Sequence, residues 1–117
     1  MRITIPFKTP SVDNLYWHRG NIKIMKSKAK ELRETILELV PKCELKKNAR
    51  LRVETQIYEN WFYKNGEVAK KDVSNREKFL VDSVFKALGI DDRYIFVQLL
   101  VKVQSDEEKA VMEITEL

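Results

Sequence analysis

The side chains best suited to chemistry lie between positions 70 and 92. Asp72 precedes a predicted helix that contains Lys78 and Asp82, and Asp91 and Asp92 follow that helix. Residues four apart share a helix face, so Lys78 and Asp82 are predicted neighbours. A turn after the helix would bring the two later acids back toward the others. Grouped carboxylates suit a hard cation such as magnesium, and an adjacent lysine would stabilise a phosphate or a leaving oxygen.

The same spacing also fits a plainer structure, a capped surface helix carrying a salt bridge. Ser74 and Asn75 stand where such a helix begins, and both residue types are good N-caps. Exposed ion pairs four residues apart are common and contribute little to stability. Spacing by itself therefore favours the surface helix over a metal site.

The first part of the chain predicts a strand, an aromatic loop and a helix. Ile3 and Ile5 alternate with polar residues, which indicates a strand over residues 1–7. Residues 15–20 are aromatic and basic and predict a loop, followed by a short strand over 22–25. Ser27 is a predicted N-cap, and a proline at 41 ends the helix. The apolar stripe of this helix consists of Ala29, Leu32, Ile36, Leu39 and Val40.

The second part predicts a strand, a helix and two further strands. Residues 51–58 alternate strictly, which indicates a strand with one solvated face. Residues 61–68 contain a turn, and a helix is predicted over 75–88 with Gly89 as its stop. The buried stripe of that helix is predicted to be Leu80, Val81, Val84, Ala87 and Leu88. Residues 94–103 are apolar on both faces, which predicts a central strand or one covered by a second subunit, and residues 111–117 form the last strand.

This order of elements predicts one α/β (α+β) domain over residues 1–117, with a mixed β-sheet and two helices. The 117 residues are 44% hydrophobic and 34% charged, which is typical of a globular protein. No apolar run is long enough to cross a bilayer. The single Cys43 cannot form an internal disulfide, and this favours a cytoplasmic location. One histidine excludes sites built on several histidines, and no glycine-rich phosphate loop or paired-cysteine zinc motif is present.

Charge is distributed unevenly along the chain. The net charge is +4, but residues 1–59 carry 13 Lys/Arg against 7 Asp/Glu, and residues 60–117 carry 9 against 11. A basic half beside an acidic half fits a polyanion-binding surface next to a metal-binding cluster. It also fits an ordinary soluble protein with a lysine-rich surface.

Three segments together resemble the RusA-like crossover junction endodeoxyribonucleases, which cut four-way (Holliday) DNA junctions. The first is an opening strand with the turn Pro10-Ser11-Val12-Asp13-Asn14 and aromatic and basic residues after it. The second is Asp72-Val73-Ser74-Asn75-Arg76-Glu77-Lys78, a helix and an Asp-Asp pair, similar to the family pattern Asp-x-Asp-Asn-x-x-Lys. The third is formed by the two closing strands. The likeness covers nearly the whole chain in order.

The resemblance implies a site and a reaction. Asp72 and Asp92 match metal-holding acids, Lys78 matches a catalytic lysine, and Asp82 and Asp91 are further candidate ligands. The implied activity is magnesium-dependent hydrolysis of phosphodiesters in DNA recombination and repair, with manganese as a possible substitute. Ser74 departs from the pattern, because the family has its second motif acid there. The alternative is therefore a protein that binds junctions with impaired or absent catalysis.

The implied partner is branched double-stranded DNA, and symmetric cutting of two strands implies a homodimer. The predicted DNA contacts are mostly basic residues, which would neutralise phosphates, with an aromatic group near the branch point: Tyr16, His18, Arg19, Lys23, Lys26, Lys70 and Lys71. The competing interpretation is that the aromatic residues simply pack the loop onto the core. A third possibility is a small dimeric α/β protein without any nucleic-acid role.

Overall fold

A computed structural model describes residues 1–11, 15–42 and 45–117. The described strands and helices follow the chain as β1 (Arg2–Ile5), β2 (Tyr16–Arg19), β3 (Ile22–Met25), α1 (Ser27–Leu39), β4 (Leu51–Glu59), α2 (Ser74–Leu88), a 3₁₀ turn (Asp92–Tyr94), β5 (Ile95–Gln104) and β6 (Lys109–Glu116). The predicted α+β domain, with a mixed sheet and two helices, is confirmed. Cys43 and the Val12–Asn14 part of the predicted turn lie outside the described residues.

The main sheet has the strand order β1-β6-β4-β5. β6 pairs antiparallel with both β1 and β4, whereas β4 and β5 are parallel and are joined through α2. Alternation along β4 is strict, with every odd residue from Leu51 to Glu59 buried and every even one half-buried. The buried side faces the helices, because Val53 and Ile57 share one core with Phe79 and Leu80 of α2 and Ile36 of α1. The prediction of an alternating strand over residues 51–58 is confirmed.

Of the two alternatives predicted for residues 94–103, the central strand is wrong. β5 lies at the edge of the sheet and pairs with β4 alone. Its apolar residues are exposed because no described element covers its outer face: Val97 is 38% exposed, Leu99 40% and Val101 37%. The other alternative, that a second subunit covers this strand, stays a prediction.

The loop predicted for residues 15–20 is also wrong. Tyr16–Arg19 is a strand, β2, which pairs antiparallel with β3 in a small separate sheet. Gly20 has φ +61°, the left-handed conformation that tight hairpin turns require. The short strand predicted over 22–25 is confirmed, and its partner is this preceding segment.

Helix α1 begins differently from the prediction. The N-cap position is Lys26 rather than Ser27, and no side-chain capping bond is found there within the described residues. The reason is that the Lys26 amide donates to the Leu15 carbonyl (2.8 Å), which ties the end of the hairpin to the helix start. Ala29 and Ile36 are buried as expected, but Leu39 is 40% exposed. The helix ends at Leu39, in agreement with the proline stop.

Helix α2 matches its predicted bounds to one residue, and Gly89 closes it with φ +68°. Leu80, Val81 and Val84 are buried as predicted. The residues missed were Phe79, Ser83 and Phe85, which widen the buried face of α2. Neither helix in the described ranges is long and apolar enough to cross a membrane.

Candidate active site

One face of α2 forms the wall of a cleft against the start of β5. Positions 74, 77, 78, 81 and 82 are spaced by three and four residues, so their side chains share a face. The cleft has a volume of about 360 Å³, and its lining is Ser74, Glu77, Lys78, Val81, Asp82, Asp92, Ile95 and Gln98. The fold therefore brings the helix part of the acidic segment next to an acid that follows the helix.

Lys78 and Asp82 form the ion pair that their spacing predicts. Lys78 Nζ lies 3.6 Å from Asp82 Oδ2, and the two side chains are 67% and 36% exposed. An exposed pair of this kind is held weakly. Lys78 is consequently able to exchange its carboxylate partner for another anion, such as a phosphate, at little cost.

Glu77 is a cleft residue that the sequence interpretation missed. Gln98 Nε2 donates a hydrogen bond to Glu77 Oε1 from the facing strand. Burial raises the pKa of Glu77, the Gln98 bond lowers it, and the nearby charges of Asp82 and Asp92 raise it further. The signal was present in the chain, because Glu77 is three residues after Ser74 and four before Val81.

Asp91 and Asp92 have different positions. Asp91 Oδ1 accepts a hydrogen bond from the Arg93 amide (2.9 Å) and so caps the 3₁₀ turn. Asp92 lines the main cleft, and both acids line a smaller adjoining cleft of about 210 Å³ together with Asp82. Asp82 and Asp92 are therefore the two predicted ligands common to both clefts.

Asp72 lies just outside the main cleft, in the turn before α2. Its side chain is exposed, and its carbonyl accepts from the Asn75 amide (3.2 Å). The predicted helix caps are corrected here, since Val73 occupies the N-cap position and no side-chain capping bond is seen at this end of the described chain. Ser74 instead lines the cleft. Two residues span at most about 7 Å, so Asp72 stays close to this lining.

The donor chemistry of the cleft fits magnesium, because Glu77, Asp82 and Asp92 offer hard carboxylate oxygens. Burial is the main cause of the raised pKa of Glu77, and the charges of Asp82 and Asp92 contribute to it by a repulsion that a bound cation would relieve. Within residues 1–11, 15–42 and 45–117, however, no three acid, histidine or cysteine side chains are already close enough to hold an ion together. Ligation by three carboxylates would require side-chain rearrangement.

Lys71 forms an ion pair that the sequence did not predict. Its Nζ lies 2.9 Å from Oε2 of Glu59, whose other oxygen lies 3.3 Å from Arg76 Nε. Glu59 is 1% exposed, at the end of β4. Lys71 is therefore an ion-pair partner of a buried acid rather than a freely available phosphate contact. Lys70 beside it is exposed.

The other predicted DNA contacts lie on the β2–β3 hairpin. Lys23 Nζ lies 4.2 Å from the centre of the Tyr16 ring, and Lys26 Nζ lies 4.4 Å from that of Trp17. His18 and Arg19 are exposed near the hairpin turn. Tyr16 packs partly against the core, whereas Trp17 is 63% exposed. The packing alternative thus holds for Tyr16 only.

No protein-family model matches the chain, and no curated protein is significantly similar to it.

The position of Glu77 predicts that Glu77→Gln increases folding stability in metal-free buffer, by an amount that depends on pH. Because the pKa of folded Glu77 is raised above its ordinary value of 4.5, the native protein loses stability as pH rises through the interval between the two values. Glutamine removes this loss and can still accept from Gln98. The variant should be more stable than wild type at pH 7, by less than about 1 kcal/mol since the site is half-exposed.

This difference should decrease as pH falls below 4.5, where the glutamate becomes protonated in both states. Urea denaturation at pH 7 and pH 4 measures it. Glu38→Gln, on the exposed side of α1, is the matched control and should show neither effect. A loss of stability in Glu77→Gln at pH 7 would contradict the expectation.

Proposed function

We propose that the protein is a magnesium-dependent, structure-selective endodeoxyribonuclease of the RusA-like kind, which resolves four-way DNA junctions by symmetric hydrolysis. The observation that carries this proposal is the convergence of Lys78, Asp82 and Asp92 on one cleft. These residues come from the segment that resembles the family. Lys78 and Asp82 lie one turn apart on α2, and Asp92 comes from beyond the end of that helix. The basic hairpin offers a complementary surface for DNA. We place this activity in the cytoplasm.

In this proposal Asp82 and Asp92 hold the metal, with Glu77 beside them and Asp72 and Asp91 at the margin of the cleft. When bound, magnesium or manganese supplies positive charge to the phosphate and activates a water for attack. The chain's own residues position the ion and the substrate. Lys78, released from its weak pair with Asp82, would neutralise charge on the phosphate or the leaving 3′-oxygen.

The proposal includes a dimer, because two strands of a junction must be cut symmetrically. The uncovered edge strand β5 supports it, since an exposed apolar edge is a ready site for pairing with another strand. Replacing Leu99 and Val101 with lysine should convert a dimer to a monomer, measured by sedimentation velocity. Leu37→Lys, at an exposed apolar position on α1, is the control. A wild-type protein that is monomeric at all concentrations would contradict this part.

A second function, junction binding without efficient cutting, is favoured by two observations. Ser74 supplies no charge at the position of the family's second acid, and Asp72 is not among the residues that line the cleft. A protein with this arrangement would retain the DNA-binding surface and cut junctions more slowly.

Incubation with a labelled four-way junction and magnesium separates the two functions. The nuclease should give paired nicks near the branch point, and a binding protein should shift the junction in a gel without cutting it. Ser74→Asp adds the missing carboxylate to a position that already lines the cleft, so it should raise the cutting rate at least about tenfold if wild type is impaired. Ser74→Asn is the control, because asparagine has nearly the same size as aspartate but no charge. Equal rates for wild type and Ser74→Asp would exclude impairment by Ser74.

A further inference from the structure

A groove with a strongly basic lining lies between the β2–β3 hairpin, α1 and the end of α2. It has a volume of about 430 Å³, and three separate elements contribute cations to it: Lys23 from β3, Lys30 and Arg33 from α1, and Lys86 from α2. Glu34 is the one acid in this lining, and the ring of Tyr16 forms part of the wall. The groove therefore collects four positive groups against one negative group.

Two of these cations are held in place by neighbouring side chains. Arg33 Nε donates to Ser83 Oγ (3.2 Å), and its guanidinium carbon lies 5.8 Å from the centre of the Phe79 ring. This bond uses one of the five N–H donors of an arginine. Lys23 Nζ lies 4.2 Å from the centre of the Tyr16 ring. Positive groups fixed along a concave surface concentrate the local field and attract anions.

The basic groove and the smaller cleft of the candidate active site share one lining residue. Lys86 lines both the groove and the small cleft that contains Asp82 and Asp92. It also lies four residues, a rise of about 6 Å, beyond Asp82 along α2. If one phosphate of a DNA strand lies at the acidic cleft, the next phosphates along the strand would therefore lie between the cleft and the groove.

We propose that this groove binds the phosphate backbone of the duplex DNA arm next to the cleaved bond, with Lys23, Lys30, Arg33 and Lys86 as the contacts. The choice of DNA as the polyanion rests on the proposed function. Cations contributed by three separate elements suit a continuous backbone of phosphates better than a single small anion. Lys30, Arg33 and Lys86 were not among the DNA contacts that the sequence predicted.

The test uses an unbranched 20-base-pair duplex in EDTA, so that neither a junction nor catalysis is needed. Each neutralised phosphate contributes about 0.9 to the slope of log affinity against log salt. The triple variant Lys23→Gln, Lys30→Gln, Lys86→Gln should therefore flatten the slope by about 2 to 3. The matched control removes equal charge elsewhere with Lys46→Gln, Lys47→Gln and Lys64→Gln, three exposed lysines outside the groove.

The control triple should leave the slope within about 1 of the wild-type value, because it removes no groove contact. A second triple with arginine at the three groove positions keeps the charge and should keep the wild-type slope. Circular dichroism verifies that each variant folds. Equal slopes for the glutamine triple, the control and wild type would overturn the groove assignment, and so would wild-type binding that does not depend on salt.

Failure of this inference is distinguishable from failure of the nuclease proposal. If wild type does not cut junctions but the groove triple alone flattens the duplex slope, the groove stands as a site for the duplex backbone and the nuclease is excluded. If wild type cuts junctions and the groove triple binds duplex as wild type does, the nuclease stands and the groove assignment is excluded.

Discussion

Replacing Asp92 with asparagine is expected to reduce junction cutting by at least about a thousandfold, or roughly 4 kcal/mol of transition-state stabilisation. Asp92 lines the acidic cleft from outside α2, opposite Lys78 and Asp82. Asparagine preserves its shape but removes the negative charge that would hold magnesium. Junction binding in calcium, which occupies oxygen sites and is used here in place of magnesium, should change less than about threefold, since phosphate contacts dominate affinity.

Single-turnover cleavage of a labelled junction measures the rate, and a gel shift measures binding. Asp106→Asn provides a matched control, because Asp106 is an exposed acid in the turn between β5 and β6. It should cut at the wild-type rate. A cutting rate for Asp92→Asn within about tenfold of wild type would show that this cleft is not the catalytic centre.

The cutting rate of Asp72→Asn then shows whether Asp72 takes part in the site. Asp72 matches the first acid of the family pattern, but it lies outside the cleft lining. A loss as large as that of Asp92→Asn would mean that the turn before α2 moves toward the ion. A loss below about tenfold would mean that Glu77 and Asp82 perform the function of the two motif acids.

The second large effect is on stability, at Glu59. This carboxylate is 1% exposed and is paired with Lys71 at 2.9 Å and with Arg76 at 3.3 Å. Removing one partner of a buried ion pair leaves uncompensated charge and commonly costs about 3–5 kcal/mol. Glu59→Gln should lose about 3 kcal/mol, near the lower end, because Lys71 is 29% exposed and can turn toward water.

Urea denaturation at pH 7 measures the change. Glu113→Gln is the control on a strand in the same sheet, where the pair with Arg2 is longer (3.6 Å) and exposed. It should lose less than about 1 kcal/mol. A Glu59→Gln protein that unfolds at the wild-type urea concentration would show that the cluster contributes no net stability.

The Glu59 cluster also has a consequence for the site. Lys71 and Arg76 lie on either side of Asp72 and Ser74, so one buried carboxylate holds both ends of the turn that leads into α2. Glu59→Gln should therefore reduce the cutting rate if Asp72 takes part in cutting, and should leave it unchanged if Asp92 takes part and Asp72 does not. Cleavage by Glu59→Gln, at temperatures where the variant remains folded, measures this rate.

Much of the local structure was predictable because it depends on neighbours along the chain. Strict alternation identified β4 and β1, and Gly89 identified the end of α2 to the residue. The pairing of Lys78 with Asp82 followed from helix geometry alone. The same periodicity would have placed Glu77 on the cleft face, had the spacing been followed from Ser74 rather than from Lys78.

Except for β2, which was predicted as a loop, the sequence alone thus determined the kinds of elements and most of their bounds, since side-chain periodicity is a local property. The tertiary structure alone decided that β5 is an edge strand, because strand order depends on pairing between distant segments. It also decided that Lys71 is bound to Glu59, twelve residues away, while Lys86 faces an open groove. Both lysines look alike in sequence, and only packing distinguishes a cation that stabilises the fold from one that is available to a ligand.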